Sequence, residues 1–147
     1  MSATSIVYIS PYLNFDGDCR AAFTFYAEHL NGEIEAMLTH ADVPGGEAAP
    51  PEWKDRIMHA SMRIGGVAIL ASDSPIDGHE PARGFHISLT VATPEEAERI
   101  FDGLAEGGTV EMPLEQTFWS PRFGMVVDRF GTPWMISADQ PEAPQGE

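Results

Sequence analysis

The feature that most constrains the fold of this 147-residue chain is an internal repeat. When the sequence is compared with itself at an offset of 76 residues, similar residues coincide along a strand, a helix stripe and a helix C-terminus. The matched pairs are Leu13 with Leu89, Phe15 with Val91, Ala21 with Ala97, Phe25 with Phe101, Gly32 with Gly108 and Ile34 with Val110. An ordered set of this length indicates that the chain contains the same supersecondary unit twice.

Each copy is predicted to have the order βαβββ. The first copy has a strand over 6–15, a helix over 18–31 that ends at Asn31-Gly32, and strands over 33–40, 56–64 and 67–73, with Gly65-Gly66 as a hairpin turn. The helix stripe of this copy includes Ala22, Phe25, Tyr26 and Leu30.

The second copy has a strand over 85–91 and a helix that begins at Thr93-Pro94 and buries Ala97, Ile100, Phe101 and Leu104. Its other strands are predicted over 110–119, 122–128 and 133–137. We therefore expect an α+β fold of two modules, 1–80 and 81–139, each a mixed half-sheet with a helix on its outer face, and a disordered tail over 140–147.

The charge balance restricts the partners of this protein. The chain carries 8 Lys+Arg against 23 Asp+Glu, a net charge of −15, and Lys54 is its only lysine. This argues against nucleic acid, because phosphate binding draws on clustered Lys and Arg. Residues 1–10 lack the basic and apolar regions of a signal peptide, and no apolar run is long enough to span a membrane, so we expect a cytoplasmic protein.

Four strings carry a family resemblance: PYLNFDG (11–17), AFTFYAEHLNGEI (22–34), RIMHASMRIGG (56–66) and GGTVEMPLEQTFWSPRFGMVVDRFGTPWMIS (107–137). They resemble the vicinal oxygen chelate superfamily, which includes glyoxalase I, extradiol dioxygenases and bleomycin or fosfomycin resistance proteins. They are most similar to its PhnB-like branch, whose domain often carries the label 3-demethylubiquinone-9 3-methyltransferase. The resemblance implies curved sheets that enclose a pocket on their concave face, and a homodimer.

The resemblance also implies where a divalent metal would bind, on the first and last strands of each module. The first-strand positions are His86 and its counterpart Ser10, and the last-strand positions fall near Leu70 and Met135. Only His86 is a metal ligand of the usual kind. We therefore expect no cofactor of the family type, with a weakly held divalent metal at His86 as the alternative.

Strand alternation predicts further side chains on the pocket face. Those that share this face are Ser10, Tyr12 and Asn14 in the first strand, His59, Ser61 and Arg63 in the third, and His86, Ser88 and Thr90 in the fifth. His59 and His86 are candidate acid/base groups or hydrogen-bonding partners of a substrate; a core histidine bonded to the backbone is the alternative for His59.

Two tryptophans and one aspartate leave alternatives open. Trp119 and Trp134 either wall a ligand or pack in the core or a dimer contact. Asp128, taken as the counterpart of Arg63, is either an ion-pair or substrate clamp or a cap of the turn at Phe130-Gly131.

Three functions follow from these predictions. The first is a binding protein that holds a small organic molecule without the family metal. The second is an enzyme of the lyase/isomerase or dioxygenase type that uses His86 and His59 with a weakly held metal. The third is a structural dimer whose pocket is filled by its own aromatic side chains. A methyltransferase is not expected, because no Gly-rich strand-to-helix turn is present, and Cys19 has no neighbouring base or CxxC partner that would make it a nucleophile or a zinc ligand.

Overall fold

A computed structural model describes residues 5–139 of the chain. The chain divides between Glu80 and Pro81 into two compact units, each with one helix and one four-stranded mixed sheet. The α+β prediction is thereby confirmed. The tail predicted over 140–147 lies outside the described residues. Neither of the two α-helices in the described part is long and apolar enough to cross a membrane.

The first module contains β1 (Tyr12–Phe15), α1 (Cys19–Leu30), β2 (Glu33–Thr39), β3 (Ile57–Ile64) and β4 (Val67–Asp73). Its sheet has the order β1-β4-β3-β2, in which β1 and β4 are parallel and the other pairs are antiparallel. Three short 3₁₀ helices occupy the Gly- and Pro-rich segment between β2 and β3, where the sequence predicts a loop.

The second module contains β5 (Ile87–Val91), α2 (Pro94–Ala105), β6 (Thr109–Glu115), β7 (Phe123–Val127) and β8 (Pro133–Ala138). Its sheet has the same topology, with the order β5-β8-β7-β6 and a parallel β5–β8 pair. Register establishes which positions correspond. Tyr12 pairs with Leu70 in the first sheet, and Ser88, 76 residues after Tyr12, pairs with Met135 in the second.

The two helices bury the faces that their spacing favours, with one exception in α1. The buried residues of α2 are those predicted, and Thr93 caps it by accepting a hydrogen bond from the Glu96 backbone N–H. In α1 the buried aromatics are Tyr26, as predicted, and Phe23, whereas Phe25, predicted to be buried, is half-buried. Phe23 lies one turn after the fully buried Cys19 and packs edge-on against Phe15 of β1.

Several strands are shorter than the sequence predicts, and three of them change the description of the site. β1 begins at Tyr12 and not at Ile6; Pro11 has no backbone N–H to donate to the ladder with β4. β5 begins at Ile87, so that His86 immediately precedes it. β6 ends at Glu115, and the segment up to β7 is a loop in which the Thr117 N–H donates to the Ser120 carbonyl.

Candidate functional site

The sheet of each module is curved, with a concave face on the side away from its helix. In the second module β5 and β6 are the two edges of the sheet, three strand spacings or about 14 Å apart if the sheet were flat. Yet the His86 Nε2 donates to Glu111 Oε1 at 2.9 Å. His86 lies just before the edge strand β5, and Glu111 lies in the opposite edge strand β6. Side chains of opposite edges can meet only if the sheet bends around its concave face.

The concave face of the first module holds an open cavity of about 480 Å³, called here the first-module cavity. Its polar lining comes from both edges and the middle of the sheet. The lining residues are Tyr8, Ile9, Ser10, Glu35, His59, Ser61, Arg63, Gly66, Val67, Ala68 and Leu70. The volume is within the usual range of small-molecule sites, about 300–1,000 Å³.

One ion pair supplies the charged groups of the first-module cavity. The Arg63 Nε donates to Glu35 Oε2 at 3.2 Å, and Arg63 Nη2 donates to Glu35 Oε1 at 3.4 Å. The guanidinium therefore presents its fork to both carboxylate oxygens. About half of the Arg63 side chain remains exposed. His59 and Ser61 precede Arg63 on the same face of β3 and add hydrogen-bonding groups beside this pair.

A register shift in β2 accompanies Glu35. Ile34 pairs with Met62 and Ala36 pairs with Ser61, so Glu35 is an extra residue in its strand. Bulges of this kind redirect side chains and are frequent beside functional sites.

The second module carries the same irregularity at the corresponding glutamate. Val110 pairs with Val126 and Met112 with Met125, which leaves Glu111 as the extra residue. Glu111 follows Glu35 by 76 residues, the offset of the repeat. Its partner is His86 and not an arginine, because Val127 occupies the position of Arg63 in the register of this sheet.

The family model of the Glyoxalase/Bleomycin resistance protein/Dioxygenase superfamily matches residues 8–136 of the chain. The chain belongs to this superfamily. Among curated relatives, protein YjdN of Escherichia coli strain K12 is 37% identical over 137 residues, which cover 88% of this chain and 93% of YjdN.

Solved structures of the superfamily share this architecture. Protein PA1353 from Pseudomonas aeruginosa is 48% identical, with a TM-score of 0.83, over 92% of this chain and all of that one (100%). A PhnB protein from Bacillus cereus, also named a 3-demethylubiquinone-9 3-methyltransferase, is 24% identical, with a TM-score of 0.76, over 88% of this chain and 98% of its own. At that identity the PhnB protein establishes the common fold alone.

The donor set of this superfamily member does not fit a closed metal centre. Leu70 and Met135, near which the resemblance implies the last-strand ligands, pair with Tyr12 and Ser88 in the two parallel ladders. Within residues 5–139, no group of three or more His, Cys, Asp or Glu side chains is arranged to hold a metal ion. His86 and Glu111 are two side chains that can bind a metal, and they are hydrogen-bonded to one another. Structural and catalytic zinc sites use at least three protein ligands.

The structure places the predicted pocket residues in three environments. Ser10 and His59 line the first-module cavity together. Tyr12 and Asn14 are exposed on the face of β1 opposite the buried Leu13 and Phe15, outside the lining of that cavity, and Ser88 is exposed on β5. His86 lies in the second module, on the hydrogen bond to Glu111.

The two tryptophans differ in burial. Trp119, 49% exposed, lies in the loop before β7 and stacks edge-on against Phe118 and Phe123. Trp134 is 1% exposed, so its prediction as a ligand-binding residue is wrong. Its neighbour Met135 belongs to the other face of β8, and the Trp134 indole N–H donates to Asp128 Oδ2 at 2.8 Å in the core.

The buried Asp128 has a structural role. It accepts the backbone N–H groups of Phe130 and Thr132, so it caps the turn between β7 and β8. It is not the counterpart of Arg63, since Val127 occupies that position.

Cys19 is fully buried at the start of α1, and burial, with the nearby Asp73 carboxylate, raises the pKa of its thiol to about 12. A protonated, inaccessible thiol is a poor nucleophile.

The sequence comparison missed the glutamates at both bulges. Glu35 and Glu111 are identical residues at the repeat offset, one position after the matched pair Ile34 and Val110. The signal was therefore present in the repeat. The matches used to find the repeat are mostly apolar, and apolar matches identify core positions. A charged residue repeated at the same offset identifies a position that the core does not require.

Proposed function

We propose that this protein binds a small polar organic molecule in the first-module cavity and does so without the metal of its superfamily. The observation that carries the proposal is the convergence of Ser10, His59, Ser61 and the Glu35–Arg63 pair on one open cavity of about 480 Å³. Sites that recognise small molecules combine such a volume with a few placed polar groups.

The lining of the cavity favours binding over a structure that fills its own pocket. Tyr8 is the one Phe, Tyr or Trp among the described lining residues, and it lies at the rim with 69% of its surface exposed. Leu70, which corresponds to a ligand position in metal-using relatives, adds apolar surface instead of a donor. None of the other predicted ligand contacts, Tyr12, Asn14, Ser88 and Trp119, is among the described lining residues of this cavity, and their contact with a ligand stays a prediction.

Native mass spectrometry of freshly purified protein tests this proposal. We expect a fraction of the protein to retain a small molecule, recovered unchanged after denaturation, and EDTA to leave that fraction intact. His59→Ala and Ser61→Ala should each reduce the retained fraction. Thr24→Ala, which removes a hydroxyl from the exposed side of α1, is the matched control. Absence of any retained or titratable ligand would refute the proposal.

The hydrogen bond between His86 and Glu111 favours one alternative, an enzyme of the lyase/isomerase or dioxygenase type. A carboxylate that accepts from Nε2 fixes the ring orientation and leaves Nδ1 as the acceptor, an arrangement suited to general base catalysis. This alternative predicts loss of turnover in His86→Ala and, if a metal is used, stoichiometric metal by elemental analysis. Binding alone predicts neither result.

We also propose that the protein acts in the cytoplasm as a homodimer and does not bind nucleic acid. The net charge of −15 supports the last point. Membership of a superfamily whose members commonly pair supports the dimer. Light scattering coupled to gel filtration measures the mass directly, and a monomer of 16.0 kDa would refute the dimer.

A further inference from the structure

We propose that Glu35 determines specificity in the first-module cavity by neutralising Arg63, so that the cavity accepts a polar molecule of zero net charge and rejects a simple anion. This inference rests on the proposed function, because it assumes that the cavity is the binding site. The ligand class is then an uncharged or zwitterionic polar compound.

The first support is the charge inventory of the cavity. Among its described lining residues, Glu35 and Arg63 are the only ones of the Asp, Glu, Lys and Arg types. Each neutralises the other, and the remaining polar groups are the hydroxyls of Tyr8, Ser10 and Ser61 and the imidazole of His59. Such a lining offers hydrogen bonds without a net field for an anion.

The second support is the geometry of the pair. Both carboxylate oxygens of Glu35 contact the Nε–Nη2 edge of the Arg63 guanidinium, one of the two edges at which a guanidinium binds a carboxylate. Glu35 belongs to the same chain and lies beside Arg63, so its effective concentration is far above that of a free anion. A ligand carboxylate must displace Glu35 to bind this edge, and at the other edge it meets a guanidinium whose charge Glu35 already neutralises.

The third support is that the bulge does not depend on an arginine partner. In the second module the bulge at Glu111 is retained, although Val127 stands where Arg63 would be and the carboxylate accepts from His86. The bulge thus presents a carboxylate on the concave side in both modules. In the first module that carboxylate pairs with Arg63, the one Lys or Arg among the described lining residues of the cavity.

Benzoate and benzamide are suitable probes, since they have nearly the same shape and differ in charge. Binding is measured by chemical-shift changes of the amides of Ser61, Arg63 and Val67 in two-dimensional NMR spectra. In Glu35→Gln we expect the Kd for benzoate to fall at least about tenfold relative to the unmodified protein, because the Arg63 guanidinium becomes free to bind the benzoate carboxylate. The Kd for benzamide should change by less than about twofold.

Three further variants make the test specific. Glu35→Ala removes the carboxylate without adding a donor and should show the same gain. Glu28→Gln removes an equal charge from the exposed surface of α1 and should show none. In Glu35→Gln combined with Arg63→Ala the gain should disappear.

The inference is overturned if neither Glu35 variant binds benzoate more tightly than the unmodified protein, or if the gain survives the loss of Arg63. The two tests can be told apart, because this one is read on probes and the test of the proposed function is read on the retained natural ligand. A gain of benzoate binding in the Glu35 variants supports the role of Glu35 whether or not the purified protein retains a ligand.

Discussion

The two modules share one backbone plan and differ on one face. On the helix side the corresponding residues are apolar or small, such as Leu13 and Leu89 or Met62 and Val126, with the exception of Asp73, whose counterpart is Ala138. On the concave side several polar residues of one module correspond to an apolar or different polar residue of the other: Ser10 to His86, His59 to Phe123 and Arg63 to Val127. Glu35 and Glu111 are identical. The fold is specified by the helix-facing side, and the chemistry is free to vary on the other.

The modules also differ in how each uses a buried carboxylate. Asp73, 7% exposed, accepts N–H groups from Gly17, Cys19 and Ile57, which are 16 to 56 residues away in sequence. Asp128, 3% exposed, accepts from the backbone N–H groups of Phe130 and Thr132 and from the Trp134 indole, which lie two to six residues away. Asp73 therefore ties the start of α1 to the start of β3, whereas Asp128 stabilises a single turn.

The largest expected effect is the loss of stability when Asp73 is replaced, compared with the loss when Asp128 is replaced. Asp73→Ala leaves three backbone N–H groups without their acceptor, and we expect the free energy of unfolding to fall by about 3–5 kcal/mol. For Asp128→Ala, where the backbone donors lie in one turn, we expect a loss of about 2–3 kcal/mol. Urea denaturation measures both, with Asp55→Ala, at an exposed position, as the control. Equal losses for the two buried aspartates would contradict the distinction.

The next effect concerns two glycines that end the helices, Gly32 and Gly108. A Cβ on Gly32 would meet the side chain of Met62, which can adjust, whereas one on Gly108 would meet the backbone carbonyl of Val127. We expect Gly108→Ala to destabilise by about 2–3 kcal/mol and Gly32→Ala by about 1 kcal/mol or less. Thermal denaturation of the two variants measures both losses of stability. A larger loss for Gly32→Ala would show that the Met62 side chain adjusts less than the backbone at Val127.

Another effect is absent at neutral pH and appears only at high pH. The pKa of Cys19 is about 12 in the folded protein against 9.0 for a free thiol, so the folded state holds its proton where the unfolded state loses it. The free energy of unfolding should therefore decline between about pH 9 and pH 12, by about 1.4 kcal/mol per pH unit.

The test of this thiol is a difference in slope. Other groups titrate in the same range, so stability is compared at several pH values between the unmodified protein and Cys19→Ala. The variant should lack the part of the decline that comes from the thiol. Parallel curves for the two proteins would mean that Cys19 ionises equally in both states.

The sequence predicts the fold well because the fold depends on patterns that a single chain displays. The apolar stripe of α2 and the hairpin at Gly65-Gly66 follow from local rules, and the repeat extends them to both modules. β1 was predicted too long because β-branched residues favour strands locally, whereas the ladder with β4 begins after Pro11.

The candidate site is predicted only in part, for a physical reason. Alternation places His59, Ser61 and Arg63 on one face, and all three line the cavity. Alternation cannot show that β2 contains an extra residue at Glu35, since a bulge arises from pairing with β3 and not from the strand itself. Nor does it reveal that Trp134 belongs to the core, where its indole N–H has a buried acceptor.

The smallest expected effect is the most informative about the bulges. The Glu35–Arg63 and His86–Glu111 pairs are partly exposed, and such pairs contribute about 0–1 kcal/mol to stability. We therefore expect Glu35→Gln and Glu111→Gln each to change the free energy of unfolding by less than about 1 kcal/mol in urea denaturation. A loss above about 2 kcal/mol in either variant would assign that bulge to folding. With small losses in both, stability does not account for a glutamate at the same irregular position of both modules, and such a result favours the binding role that we propose for Glu35.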